Sequence, residues 1–217
     1  MKKRFKVAIQ MDPLEKINPN EDSTFLIAKE AQDRGYKIFH YLPKDISLKN
    51  NKIIVLGSYF KIINSKKKFF KKEKQQSVNL NDFHCVLIRQ DPPFNMEYIT
   101  ATYFLEMLNK NVMVINNPSE IRNNPEKLSM FKFKNIIPQT LISENLKEIE
   151  NFIKKNPFTI LKPMYGNGGE GIAKVKRGSL KNNQIINKMI KKYKGAIIAQ
   201  KFIKEIDKGD RRIILID

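Results

Sequence analysis

The sequence has no tryptophan, one cysteine and two histidines. A lone cysteine, Cys85, excludes an intrachain disulfide and points to a reducing, cytoplasmic compartment. Cys85, His40 and His84 together fall short of the four ligands of a structural zinc site. They also lack a nucleophile-and-base spacing, so they read as packing or surface residues. No apolar run approaches the roughly 18 residues that a membrane helix needs. The opening MKKRFKVAIQMD is interrupted by Lys6, Gln10 and Asp12, which makes it a first strand rather than a secretion signal. The P-loop pattern G-x-x-x-x-G-K-[ST] is absent. Arginine is scarce too, at 7 of 41 basic residues, although its planar fork is the preferred reader of bases and phosphates.

What is abundant is lysine. With 34 lysines against 22 acidic residues in total, the net charge is +19. There are also 22 asparagines and 30 isoleucines, the skew of an AT-rich coding sequence. The charge therefore reads first as a solvated surface and not as a nucleic-acid or anionic-membrane footprint. The best local candidate for a different role is KKKFFKKEK, Lys66 to Lys74. It either stacks bases between its aromatic rings or connects two elements while its phenylalanines dock on the core. The connector is favoured, because charge runs are mostly solvated faces.

The 217 residues, 41% of them apolar, suffice for a packed core in one or two domains. Phe5 to Met11 reads as a buried strand, Phe25 to Arg34 as a helix capped from Asp22-Ser23, and Tyr36 to Leu42 as a strand stopped by Pro43. Two apolar runs around Lys49-Asn50-Asn51 suggest a hairpin. His84 to Arg89 is a buried strand, Asn95 to Asn109 a helix and Val112 to Ile115 a strand. The stretch 116–124 changes character and divides domain 1–122 from domain 123–217. Beyond it come a short helix carrying Lys127, a strand at Thr140 to Ile142, and a helix from Glu144 to Lys155 capped by Ser143. Strands at Phe158 to Pro163 and Ile172 to Lys176 follow, then a helix at Ser179 to Tyr193. Strands at Ala196 to Phe202 and Arg212 to Ile216 complete the reading. The class is α/β: an open α/β domain first, then a second layered unit.

Residues 166–171, GNGGEG, match G-x-G-x-x-G, but a dinucleotide fingerprint needs a helix after the loop. IAKVK reads as a strand, so the loop is a glycine hairpin of the kind that covers phosphates, with a plain flexible hairpin as the alternative. Lys162 enters the loop on a strand. Buried, it needs an anion; on an edge strand it would face solvent. Gln200 to Ile203 end a strand and can offer main-chain groups to an adenine edge. Asp210 can hold ribose hydroxyls and Arg212 can stabilise developing negative charge, or the two form a surface pair. Arg89 and Asp91 lie at the C-terminal end of a buried strand, with Asp12 at the matching end of strand one. That is where open α/β sheets bind ligands.

Taken together, five segments resemble the prokaryotic glutathione synthetases of the ATP-grasp ligase superfamily. They are QMDP at 10–13, IRQDPPFNMEYITATYFLE at 88–106, NNPSEIRNNPEKL at 116–128, TILKPMYGNGGEGI at 159–172 and AQKFIKEIDKGDRRIILID at 199–217. The resemblance implies an open α/β N-terminal domain followed by the first part of an ATP-grasp fold. It implies a ligase that phosphorylates the carboxylate of γ-glutamylcysteine with ATP and joins glycine to it. Lys127 and Lys162 would then contact ATP phosphates under a lid that includes Gly166, Asn167, Gly168 and Gly169. Gln200, Lys201, Phe202 and Ile203 would hold adenine, and Asp210 would lie near the ribose. Arg212 would stabilise the transition state. Asp12, Arg89 and Asp91 would sit on the peptide-substrate side. Magnesium, or manganese, would be the metal, with its ligands beyond Asp217. The resemblance also implies a homo-oligomer with small-molecule substrates and neither nucleic-acid nor membrane partners. The ending directly after a strand suggests a fragment, and the resemblance implies that these 217 residues, without the family's metal-binding part, lack ligase activity on their own. Other ATP-grasp ligases, or a basic nucleic-acid binder on such a fold, are the rival readings.

Overall fold

The first strand pairs on both sides, which explains why it is apolar almost throughout. The computed structural model describes residues 4–63, 68–166, 168–209, 211 and 213. Two units divide the chain, Met1–Pro125 and Glu126–Asp217. In the first unit the strands are β1 (Lys6–Gln10), β2 (Lys37–Lys49), β3 (Lys52–Ile62), β4 (Phe70–Lys72), β5 (Gln76–Asn79), β6 (Cys85–Ile88) and β7 (Met113–Ile115). Its α-helices are α1 (Ser23–Asp33), α2 (Met96–Glu106) and α3 (Pro118–Asn123). The sheet order is β4-β3-β2-β1-β6-β7, with β5 also on β3. Strands β2, β1, β6 and β7 run parallel, whereas β3 is antiparallel to β2, β4 and β5.

Alternate residues of β1 and β6 feed two cores. Ala8, Val86 and Ile88 join Phe39, Tyr41 and Leu105 of α2, while Val7, Ile9, Cys85 and Leu87 join Ala28 of α1. Burial on both faces leaves no polar side to alternate with, which is the signature of a central parallel strand. Helix α1 starts where the Asp22 carboxylate accepts from the Thr24 and Phe25 amides, and it ends before Gly35 at φ +80°. That capping matches the expectation from the sequence.

The strand expected to stop at Pro43 runs on to Lys49. Its parallel partner β1 is exhausted at Gln10 opposite Tyr41, and the register against β3 shifts between Tyr41 and Ile46. A proline without an N–H is tolerated at such a bulge. The Lys49-Asn50-Asn51 hairpin is present. Asn50 and Asn51 take φ +49° and +57°, and Lys49 faces Lys52, the twist-matched two-residue turn. The lysine-rich run, read as a connector, in its described part forms the edge strand β4 against β3, with Phe70 buried and Phe69 packed beside it on the α1 side. Lys66 and Lys67 lie outside the described residues. The stretch 116–124, read as a change of character, holds α3, capped by Asn117 with Pro118 in the first turn.

The second unit contains α4 (Glu126–Ser129), β8 (Thr140–Ser143), α5 (Leu146–Lys155), β9 (Phe158–Pro163), β10 (Ala173–Lys176), α6 (Asn182–Tyr193) and β11 (Ile197–Lys201). The sheet order is β10-β9-β11-β8, antiparallel throughout. Leu161, Val175, Ile197 and Ala199 pack under Ile149 and Ile153 of α5 and Ile186 and Met189 of α6. One sheet face is thus covered by helices, and the alternate residues Ile160, Lys162, Lys174 and Gln200 point the other way. Helix α5 is capped by Asn145, which accepts from the Lys147 and Glu148 amides, and not by Ser143. The Ser143 hydroxyl instead accepts from the Asn145 amide, so it fixes the approach and Asn145 makes the cap. Helix α6 begins at Asn182 rather than Ser179, because Ser179 is still turning after Gly178, φ +80°. Of the strand expected at Arg212 to Ile216, Ile213 is the described residue; it is exposed and in no strand, and the others lie outside the described residues. No helix among the described residues is long and apolar enough to cross a membrane.

Candidate active site

In the second unit, Lys162 sits on β9, a strand flanked by β10 and β11, so the solvent-edge alternative is excluded. The side chain is half-buried, and its Nζ donates to Gln200 Oε1 at 2.7 Å. Burial first, and the nearby Lys127 ammonium second, hold the Lys162 amine below the ordinary lysine value. Its acceptor is a neutral amide, and the ion pairs among the described residues do not include it. A cation kept in that setting gains most from an incoming anion.

Lys127, on the short α4, donates from Nζ to the Gly166 carbonyl at 2.7 Å. It therefore ties its helix to the start of the glycine loop. That loop leads into β10, with Ala173 opposite Leu161, so it is a strand–loop–strand hairpin as the sequence implied. Gly169, at φ +75°, has open space where a Cβ would be, and its requirement is conformational. Gly171 is different: at φ +73° an added Cβ would stand 1.9 Å from the Tyr193 hydroxyl oxygen.

On β11, Gln200 is buried and held on both ends of its amide. The Lys201 amide donates to the Gln139 carbonyl at 2.9 Å and the Phe202 amide to Phe158 at 3.0 Å. Both donors are thus committed to the sheet. The Phe202 ring lies under Lys174, whose Nζ is 3.6 Å from its centroid, a cation–π contact between β10 and the end of β11. Nothing in the sequence signals that pair, because it depends on strand order. Asn167, Asp210 and Arg212 lie outside the described residues.

In the first unit, the C-terminal ends of β1 and β6 bring Asp12, Arg89 and Asp91 together. Asp12 Oδ2 accepts from the Asp91 amide at 2.8 Å, and the Asp12 carbonyl meets His40 Nε2 at 3.0 Å. The Arg89 amide donates to the Gln10 carbonyl. Its guanidinium donates through Nε to Thr24 Oγ1 at 3.0 Å and through Nη2 to Ser23 Oγ at 2.8 Å. Both partners are neutral hydroxyls, so Arg89 is aimed from the start of α1 without an ion pair in these contacts. Gln10 Nε2 donates to Gln90 Oε1, while the buried Gln10 Oε1 has no partner among the described residues. Ser23 was read from the sequence only as a helix cap, and Thr24, Gln10 and Gln90 were not among its candidate site residues. They sit beside residues that were, and only the fold reveals the contact. Cys85 is buried, which pushes its thiol up to about 11, and His84 stacks on Phe5. Both are packing residues. Among the described residues, no three His, Cys, Asp or Glu side chains group to hold a metal ion.

An open, mainly parallel α/β unit followed by an antiparallel sheet with helices on one face, and a glycine hairpin and half-buried lysine on the other, defines an ATP-grasp architecture. A RimK-domain ATP-grasp protein from Sphaerobacter thermophilus superposes with a TM-score of 0.55 at 16% identity, covering 91% of this chain and 64% of that one. The prokaryotic glutathione synthetase N-terminal domain matches residues 5–122, and the ATP-grasp domain of the same family matches residues 126–217. The chain belongs to the prokaryotic glutathione synthetase family. The glutathione synthetase of Agrobacterium fabrum is 38% identical over 97% of this chain and 66% of its own length. That of Buchnera aphidicola subsp. Baizongia pistaciae is 40% identical over 97% of this chain and 66% of its own. This chain spans about two thirds of the length of these relatives.

Proposed function

We propose that this chain carries the nucleotide-binding and peptide-binding residues of a glutathione synthetase, the ATP-dependent ligation of γ-glutamylcysteine and glycine. The observation that carries the reading is Lys162: a half-buried ammonium on the open sheet face, with a neutral amide as its acceptor. Lys127 and Lys162 would receive phosphate oxygens, with Gly166, Asn167, Gly168 and Gly169 closing above them. The two lysines, one held at the root of the glycine loop and one beneath it, fit a polyphosphate. With the Lys201 and Phe202 amides committed to the sheet, the donor to an adenine edge falls to the Ile203 amide. Asp210 would hold the ribose and Arg212 the charge that develops on transfer. Bound ATP supplies the phosphoryl group that activates the dipeptide carboxylate, which the glycine amine then attacks with release of phosphate. Asp12, Arg89 and Asp91 would hold the dipeptide, Arg89 facing a carboxylate. Magnesium, or manganese, is the metal proposed to accompany ATP; among the described residues no three His, Cys, Asp or Glu side chains group to hold it. A cytoplasmic homo-oligomer is the setting proposed.

Equilibrium titration of ATP, with and without magnesium, into the wild-type chain and Lys162→Ala tests the nucleotide half. Loss of a charge-assisted contact predicts at least about tenfold weaker binding in the variant. Equal affinities, or no binding to either, would overturn it. Titration of γ-glutamylcysteine into wild type and Arg89→Ala tests the peptide half. ATP binding without γ-glutamylcysteine binding would turn the reading to another carboxylate and amine pair within the ATP-grasp ligases.

A further inference from the structure

Three neighbouring strands carry a chain of hydrogen bonds across the open face of the second sheet. Lys162 Nζ donates to Gln200 Oε1 at 2.7 Å, Gln200 Nε2 donates to Thr140 Oγ1 at 2.9 Å, and Thr140 Oγ1 donates to the Pro138 carbonyl at 2.8 Å. Thr140 stands directly opposite Gln200 in the β8–β11 register, and Lys162 lies diagonally across on β9. The direction of this chain is not arbitrary. A carbonyl only accepts, so the Pro138 oxygen takes the single hydroxyl hydrogen of Thr140. The hydroxyl is then left to accept, and what it accepts must come from the NH₂ end of the Gln200 amide. That turns the amide oxygen toward Lys162. The opposite orientation would set an NH₂ against an ammonium and would leave two donors facing each other in a buried place. One main-chain carbonyl at Pro138 therefore fixes, through two side chains, where the lysine ammonium points.

We propose that Thr140 is a positioning residue: it orients the Gln200 amide, and through that amide it holds the Lys162 ammonium in place to receive a phosphate. The positioning stands on the geometry alone, and its use for phosphate rests on the function proposed above. Valine keeps the branched shape of threonine on a strand but removes the acceptor. In Thr140→Val the Gln200 amide loses its orienting partner and Lys162 loses a fixed oxygen. Serine restores the hydroxyl without the methyl.

The test is a pH titration of the Lys162 side chain by NMR, in the full chain with selectively labelled lysine, the signal assigned by its loss in Lys162→Arg. The charged neighbour felt by Lys162 is Lys127, which all variants retain. Withdrawal of an oxygen acceptor from an ammonium lowers its titration midpoint. The midpoint is expected to fall in Thr140→Val and to return to the wild-type position in Thr140→Ser. A Thr140→Val midpoint equal to wild type, or a Thr140→Ser midpoint that follows valine, would overturn the proposal. ATP affinity is the second readout: about tenfold weaker in Thr140→Val and restored in Thr140→Ser. Titration midpoints that move as expected in a chain that does not bind ATP would uphold the positioning and overturn the nucleotide reading instead.

Discussion

His40 is buried near the C-terminal ends of the first unit's parallel strands, its Nε2 against the Asp12 carbonyl. A carbonyl accepts only, so Nε2 is the donor in this contact. Desolvation is the largest influence on it and holds its pKa below the ordinary histidine value, against the raising effect of the Asp12 carbonyl. Lys72 and Glu15, paired with each other, act on it in opposite directions, and the Phe60 ring meets it edge-on. The unfolded chain therefore binds this proton more readily than the folded one. The stability that His40 contributes is complete above about pH 6.5 and is lost as pH falls from there toward the folded value. In His40→Gln, whose amide can still donate to Asp12, thermal melts from about pH 7.5 to 5 should fall less steeply than in wild type. Parallel pH dependences would show that His40 does not contribute. At this scale the sequence was half legible. Lys162 and Gln200 stood out singly, each on its own strand. Their contact depends on the pairing of β9 with β11, and that of Thr140 on β8 joining them, so no local pattern announced either.

Helix ends are where sequence and structure part at the next scale. Both Ser143 and Asn145 are good capping residues, and a serine before an acidic residue reads well as a helix start. The structure chooses Asn145 because β8 runs through Ser143 and leaves it in extended pairing opposite Ile197. Asn145→Ala should destabilise the second unit by about 1 kcal/mol in urea unfolding, and Ser143→Ala by distinctly less. The reverse ranking would place the cap where the sequence suggested. Elements with a strong pattern were legible: β9 falls at Phe158–Pro163 as expected, and the two-asparagine turn follows from its composition. Three-residue β4 and four-residue β5 were not, since runs so short carry no period to read. Proline 43 misled for a related reason. Its effect on a strand depends on whether that stretch has a partner on both sides, and that is settled by the length of β1.

At the scale of the whole molecule, the order of motifs along the chain carried the family, because each motif alone admits a second explanation. The glycine pattern fits several phosphate loops, and only its strand–loop–strand context separates them. The excess of lysine gave the least guidance. In the described residues it becomes a solvated surface, with phenylalanines 69 and 70 anchoring β4 and the residue before it to the core, and Lys162 is distinguished by its burial and not by its charge.

The arrangement of the first sheet also has a consequence in time. Strands β2 and β3 are joined by two residues, whereas β1 must find β6 with Val7 beside Cys85. Closing a short hairpin takes microseconds, and long-range parallel pairing must first overcome the entropy of the intervening chain. The hairpin should therefore be formed in the rate-limiting step, with β6 and β7 docking late. Stopped-flow kinetics of two variants would show the order. Asn51→Val, strained at φ +57°, should slow folding, and Ile88→Val in β6 should chiefly hasten unfolding. If Ile88→Val instead slows folding as much as Asn51→Val does, the central parallel pair is already formed at the barrier. The turn at Asn50-Asn51 would then be a late closure and not the place where the sheet begins.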